Sequence, residues 1–364
     1  MNRPAHPALA RLDPDFVAWI GASACALDSG EEDAAAVLPR LADAGVTAAG
    51  VPFHQGGVGG DIVDGIAAVS AVAEESLAAA FVLWGHRTYI EYLLQSPNGA
   101  LGEELLPDLL AGRVAGATGL SNAMKFLAGL EALQISAREG EGGLTLTGKM
   151  PWVTNLRPQG FHVAAAVDHE NGQAFIASLS HYDVGLARSD DLALFGMQST
   201  NTAAVALTNV KIGADRILHA DARSWLPRIR PAFLGLQCGM SIGLARRSLN
   251  EATQAAGAGR GVLSEPLHDL AARLAQAESR LFAGVRSREF EADAAPLFEL
   301  RIALADIAAD AVSLELHSAG GRAYLREPGR HVARRWREVA FIPLITPSLV
   351  QLKTALHQRR RSAA

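Results

Sequence analysis

The feature that most constrains this 364-residue chain is a hydrophobic period that changes twice along its length. Residues 13–112 run at helical spacing, as in EEDAAAVLPRLADA (31–44) and IVDGIAAVSAVAEESLAAAFVLWGHRTYIEYLLQ (62–95), interrupted by the glycine-rich VPFHQGGVGGD at 51–61. From about 113 to 218 the runs become short and alternating, and EGEGG and HENGQ divide them as hairpin turns would. After Asp221 the helical period returns, in three long amphipathic stretches and a fourth at 331–359. This order predicts an α+β fold in three domains. They are an N-terminal α-helical domain (1–112), a middle antiparallel β domain (113–218) and a C-terminal four-helix bundle (219–364).

Composition narrows the function. With 49% hydrophobic and 20% charged residues the chain buries a sizeable core. A net charge of −5 gives no general attraction to phosphate backbones, so no nucleic-acid partner is expected. The two cysteines, Cys25 and Cys238, lie far apart in small or apolar surroundings, which fits a reducing compartment and gives no metal-ligand spacing. Neither a leader pattern nor an uninterrupted run of about 18 apolar residues occurs, so a cytoplasmic address with no membrane span is expected.

One short stretch suggests a ligand. In TLTGKMPWVTN (145–155) Trp152 and Thr154 are two apart, which on a strand puts an indole and a hydroxyl on one face. An aromatic plane beside a small hydrogen-bonding group suits a flat, heteroatom-rich molecule.

Six stretches, in one order, resemble the acyl-CoA dehydrogenase superfamily of flavoproteins over nearly the whole chain. They are VPFHQGGVGGD, LPDLLAGRVAGATGLS, LTLTGKMPWVTN, LALFGMQSTNTAAVALTNVKIGADRIL, IGLARRSLNEATQAAGAGR and LHSAGGRAYLREPGRHVARRWREV. The resemblance implies FAD as cofactor, with Trp152 and Thr154 beside the flavin ring and the hydroxyl near the N5 edge. It also implies that Gly320 and Gly321 form the turn that meets the pyrophosphate or adenosine half of FAD across a subunit interface. A homodimer or homotetramer follows from that arrangement.

The chain departs from the family where proton chemistry is done. The family's usual catalytic glutamate lies nine residues after the arginine of its Arg-Asp segment, and counting from Arg337 reaches Thr346, followed by Pro347. The alternative carboxylate position on the first bundle helix, counted back from Gly243, falls on Phe233 and Leu234. Residues 231–242 and 339–353 hold no Asp or Glu, so a small slip in register restores neither site. The flavin and thioester loop is reduced to TGLSNAMK, keeping Thr118 and Ser121 as hydrogen-bonding groups, and the phosphate contact Arg-x-x-Phe-Gly is reduced to RGVLS, keeping Arg260. His86, on the helix that in the family faces the substrate, is a candidate replacement base.

Two functions of different kinds fit these features. One is an acyl-CoA dehydrogenase-like oxidoreductase acting on an acyl thioester and passing electrons to an electron-transfer flavoprotein. The other is a monooxygenase on the same scaffold, using oxygen and reduced flavin from a flavin reductase on an aromatic or other small molecule. A non-catalytic flavin-binding or scaffold homologue is a third.

Overall fold

The computed structural model describes residues 12–129, 131–140, 143–255 and 261–363. Five helices come first: α1 (Pro14–Ser29), α2 (Val37–Asp43), α3 (Ile62–Glu75), α4 (Leu77–Leu94) and α5 (Gly99–Leu110). Their starts are written in side chains. Asp13 caps α1, Asp61 and Asp64 form a reciprocal capping box on α3, and Asn98 caps α5, each satisfying amide groups that the first turn leaves free. Ser76 ends α3 and caps α4, so the chain bends there with only one residue between two helices. Both of these helices are apolar almost all round, which makes them the buried spine of the block.

The β region holds β1 (Ala115–Thr118), a short α6 (Ser121–Leu127), β2 (Ile135–Gly140), β3 (Gly143–Val153), β4 (Phe161–His169), β5 (Ala174–Ser180), β6 (Leu186–Arg188), β7 (Ala203–Ile212) and β8 (Ile217–His219). The sheet order is β6-β7-β3-β2-β4-β5-β8, with β1 added beside β4. Most pairs are antiparallel, but β4 runs parallel to both β1 and β2, so the sheet is mixed where an antiparallel one was expected. The reason is connectivity. β1 is delivered from α5 and returns through α6, a crossover that permits parallel pairing. At the far end of β3 the register against β7 shifts between Met150 and Val153, a bulge that turns the strand end outward.

The remaining helices are α7 (Ala222–Ala255), α8 (Ser264–Arg286), the single-turn α9 (Glu289–Ala292), α10 (Ala295–Ala319), α11 (Arg330–Phe341) and α12 (Leu349–Ala363). The fourth helix expected at 331–359 is thus two helices, parted by residues 342–348 with Pro343 and Pro347, since neither proline can donate a helical hydrogen bond. The interval matters because it forms part of a cavity wall. Residues Arg330–Arg361 contain an 18-residue window of mean hydropathy 1.5, apolar enough by composition to cross a membrane, with 33% of that window buried. The sequence expectation of no such segment counted only uninterrupted apolar runs. In the fold the window spans a broken helix pair, one side of which packs on α10.

Three buried or half-buried arginines of α11 are paired. Glu338, fully buried on α11, accepts from Arg334 at 2.6 Å and from the Leu77 amide at the first turn of α4 at 3.1 Å. Arg335 pairs with Glu315 of α10, and Arg337 with Asp28 of α1 at 2.6 Å. These three arginines therefore tie α11 to its own turn, to the bundle and to the N-terminal block.

Candidate functional site

The strand end that raised the question of a ligand borders a cavity of about 460 Å³ between the β region and the two helical blocks. Trp152 and Thr154 line it, and so do Thr118, Ser121 and Thr346. Five residues singled out in the sequence are thus brought to one place from three separate segments. Trp152 is 61% exposed, so it belongs to the mouth of the cavity and not to the core. Thr154 is 3% exposed and sits deeper.

The Thr154 side chain is held from two sides. Its hydroxyl donates to the Thr200 carbonyl at 3.2 Å, and its methyl lies against α4 at Gly85, where an added Cβ would come within 2.9 Å. A hydroxyl whose proton is already engaged presents lone pairs to its surroundings. Thr118 is positioned by Tyr92, whose phenol oxygen lies 2.8 Å from the threonine hydroxyl, and burial pushes the phenol pKa upward so that it stays neutral.

The floor of the cavity is aromatic. Phe81 and Trp84 come from one face of α4, with ring centroids 5.3 Å apart, and Phe341 from the end of α11 meets Phe81 edge-on at 4.9 Å. The rim is polar. Lys125, Glu131, Lys149, Asn122, Gln134 and Gln351 border it. Glu131 is the one carboxylate among these lining residues. Lys125 donates to it at 2.7 Å and holds its carboxyl below the ordinary range.

His86 is corrected by the structure. It is fully buried; one ring nitrogen lies 2.9 Å from the Leu109 carbonyl and the other accepts from the Gly116 amide at 2.9 Å. Both nitrogens are used, and burial holds the pKa down at about 4. Its place in the helix explains the error. Two residues beyond Trp84 is about 200° around an α-helix, so the two side chains leave opposite faces. Trp84 faces the cavity, and His86 fastens α4 to β1 and α5.

Gly320 and Gly321 end α10 at a distance from this cavity, and neither is among its lining residues. Gly320 has φ 62°, a conformation that favours glycine, and an added Cβ on Gly321 would meet nothing within 4 Å. Arg260 lies outside the described residues. Sequence reasoning missed Phe81, Trp84, Phe341, Lys125, Glu131 and Lys149. The three-residue spacing of Phe81 and Trp84 was readable, but Phe341 and Glu131 reach the site only through tertiary packing.

No family model matches the chain, and no curated protein matches it. Solved structures do. Butyryl-CoA dehydrogenase from Megasphaera elsdenii superposes with a TM-score of 0.81 at 18% identity, covering 99% of each chain. A KijD3 solved with FMN and dTDP-3-amino-2,3,6-trideoxy-4-keto-3-methyl-D-glucose gives 0.80 at 20% identity, covering 99% of this chain and 95% of that one. PigA, solved with FAD and proline, gives 0.78 at 15% identity over 100% of both. The chain has the acyl-CoA dehydrogenase fold. Thr346 stands in the cavity wall, while Phe233 is buried against Trp84 with ring centroids 5.5 Å apart and Leu234 is fully buried.

The residues present fit a flavin ring. An exposed indole at the mouth, two buried threonine hydroxyls, an apolar floor and an unpaired lysine at the rim match a flat heteroaromatic with an electron-rich edge, and the volume lies in the range of small-molecule sites.

Proposed function

We propose that this chain is a flavin-dependent oxidoreductase using FAD, and that its reaction proceeds without removal of a proton α to a thioester. A bound flavin would supply the two-electron carrier. Trp152 would cover its face, Thr154 would border the ring, and Phe81, Trp84 and Phe341 line an apolar floor that excludes water. The observation that carries the reading is the wall around Thr346. Phe341, Leu344, Ile345 and Thr346 meet Phe81 and Trp84 there with no carboxylate among them. Glu131 does not replace one, because a carboxylate stabilised by Lys125 at the rim is a weak proton acceptor.

This favours a flavin monooxygenase that takes reduced flavin from a reductase and acts with oxygen on a small polar molecule. The solved structures with FMN and a dTDP-linked amino sugar, and with FAD and proline, show that the fold accommodates such ligands in those proteins. The second reading is the thioester dehydrogenase, coupled to an electron-transfer flavoprotein; a basic annex is compatible with it as with a nucleotide-linked substrate. A second cavity shares Lys125 and Gln351 with the first and is lined by Arg230 and Arg359, a cationic annex suited to a substrate that carries phosphate.

One experiment separates the two. Purified protein loaded with FAD is mixed anaerobically with butyryl-CoA and the flavin absorbance followed. The expected result is FAD uptake without bleaching, since general-base catalysis contributes about two to four powers of ten. Fast bleaching returns the assignment to the dehydrogenase. Failure to take up any flavin, oxidised or reduced, removes both.

A further inference from the structure

Behind the wall at 342–346 lies a cation for which the described residues supply no counter-ion. Arg301, on α10, is 0% exposed. Its Nη2 donates to the Ile342 carbonyl at 2.7 Å and its Nε to Gln237 Oε1 at 3.4 Å, while Nη1 has no partner. Gln237, equally buried on α7, donates from Nε2 to the Thr346 carbonyl at 2.8 Å. Two helices of the bundle therefore grip the two ends of one short segment, and the residues between those grips, Leu344 and Ile345, face the cavity together with Thr346.

The arrangement is expensive if its only task is to fill the bundle. Among the described residues no carboxylate pairs with Arg301. The nearby Cys238 supplies no negative charge, because burial pushes its thiol up to about 12. A guanidinium held by neutral acceptors alone bears a desolvation penalty of several kcal/mol that an apolar side chain of similar volume avoids. In a low-dielectric interior its charge is poorly screened, so its field acts across the wall segment it holds.

We propose that Arg301 and Gln237 are positioning residues for the cavity. They fix the wall at 342–346 by its two end carbonyls, and the uncompensated charge of Arg301 favours a negatively charged group on the occupant of the cavity. For a flavin that group is the reduced, anionic ring. The charge half of the inference thus rests on the flavin reading above, and the brace does not.

Hydrogen–deuterium exchange of the full-length protein without ligand tests the brace. Gln237→Leu, Arg301→Met and Arg301→Lys are expected to speed exchange at the amides of 344–346 and 348 while leaving those of β3 unchanged, since lysine cannot reach both Ile342 and Gln237. Unchanged exchange at these amides overturns the brace. Gln237→Leu keeps the buried cation in place and decides the question alone should Arg301→Met fail to fold. The charge is tested by anaerobic titration with FAD, oxidised and dithionite-reduced. The ratio of reduced to oxidised affinity is expected to fall roughly tenfold in Arg301→Met and to stay near native in Arg301→Lys, which restores the charge without the brace. An unchanged ratio in Arg301→Met overturns the charge role. A native protein that binds no FAD removes the charge role together with the flavin reading, and the exchange result still settles the brace.

Discussion

At the scale of single residues, Thr154 offers the cleanest test of the site. Thr154→Val removes one hydroxyl and nearly preserves shape. The Thr200 carbonyl keeps its second donor, the Asn155 amide at 2.9 Å, so the stability cost is expected to be only about 1 kcal/mol. FAD affinity should hold while the midpoint of flavin reduction moves; an unmoved midpoint by dye-linked titration removes Thr154 from the ring edge. His86 predicts something different. Burial holds its folded pKa at about 4, against an ordinary value near 6.5. As pH falls from 6.5 toward 4 the unfolded chain binds a proton that the folded chain refuses, so the stability present above pH 6.5 is lost through that window. The slope from this residue is at most about 1.4 kcal/mol per pH unit. Thermal melts at pH 7 and 5 should show a smaller pH dependence in His86→Gln, whose overall stability is lower at both. Both residues were visible in the sequence, but only Thr154 lines the cavity. Strand alternation was expected to put Thr154 beside Trp152; β3 ends at Val153 after a bulge, so Thr154 reaches the cavity from the turn beyond the strand, and the face of α4 that meets the cavity is decided by what packs around the helix.

Among elements, α11 and the segment after it carry the most consequence. The Arg335 and Glu315 side chains form a bidentate pair, both almost wholly buried between α11 and α10. Glu315→Gln leaves a buried guanidinium without its counter-charge, and a loss of about 3–5 kcal/mol is expected in urea unfolding. The double change Arg335→Met with Glu315→Leu should recover most of it, because it removes both desolvation penalties at once. A single-variant loss below about 1 kcal/mol would show that the pair is far better solvated than its burial indicates. Helical periodicity revealed α11 and α12 as one amphipathic stretch, and Pro343 and Pro347 carried the signal that it must break. What no local pattern encodes is the direction in which the broken segment folds. That direction is set by Arg301 and Gln237, which are distant in sequence and look like ordinary polar interruptions of two bundle helices.

For the whole molecule, the change of period from helix to strand to helix made the fold class legible, because burying one face of each element leaves few alternatives. The cavity was legible only in its strand and loop residues, since it forms where all three blocks converge. Assembly beyond one chain is the remaining expectation at this scale, and the surface around Gly320 and Gly321 makes it testable. Gly321 faces open space, and just beyond it Tyr324 and Leu325 are 92% and 58% exposed, an apolar pair that a monomer gains nothing by displaying. A homodimer or homotetramer that covers this turn is expected in light scattering at micromolar concentration. Tyr324→Asp with Leu325→Glu should shift the mass toward monomer with little effect on the stability of the chain itself, because neither side chain packs inside it. If the glycine turn completes the FAD site of a neighbouring copy, FAD affinity should fall in step with the loss of assembly and return at protein concentrations that restore it. A native mass of one chain refutes the assembly, and a dissociated variant with native FAD affinity refutes the shared site.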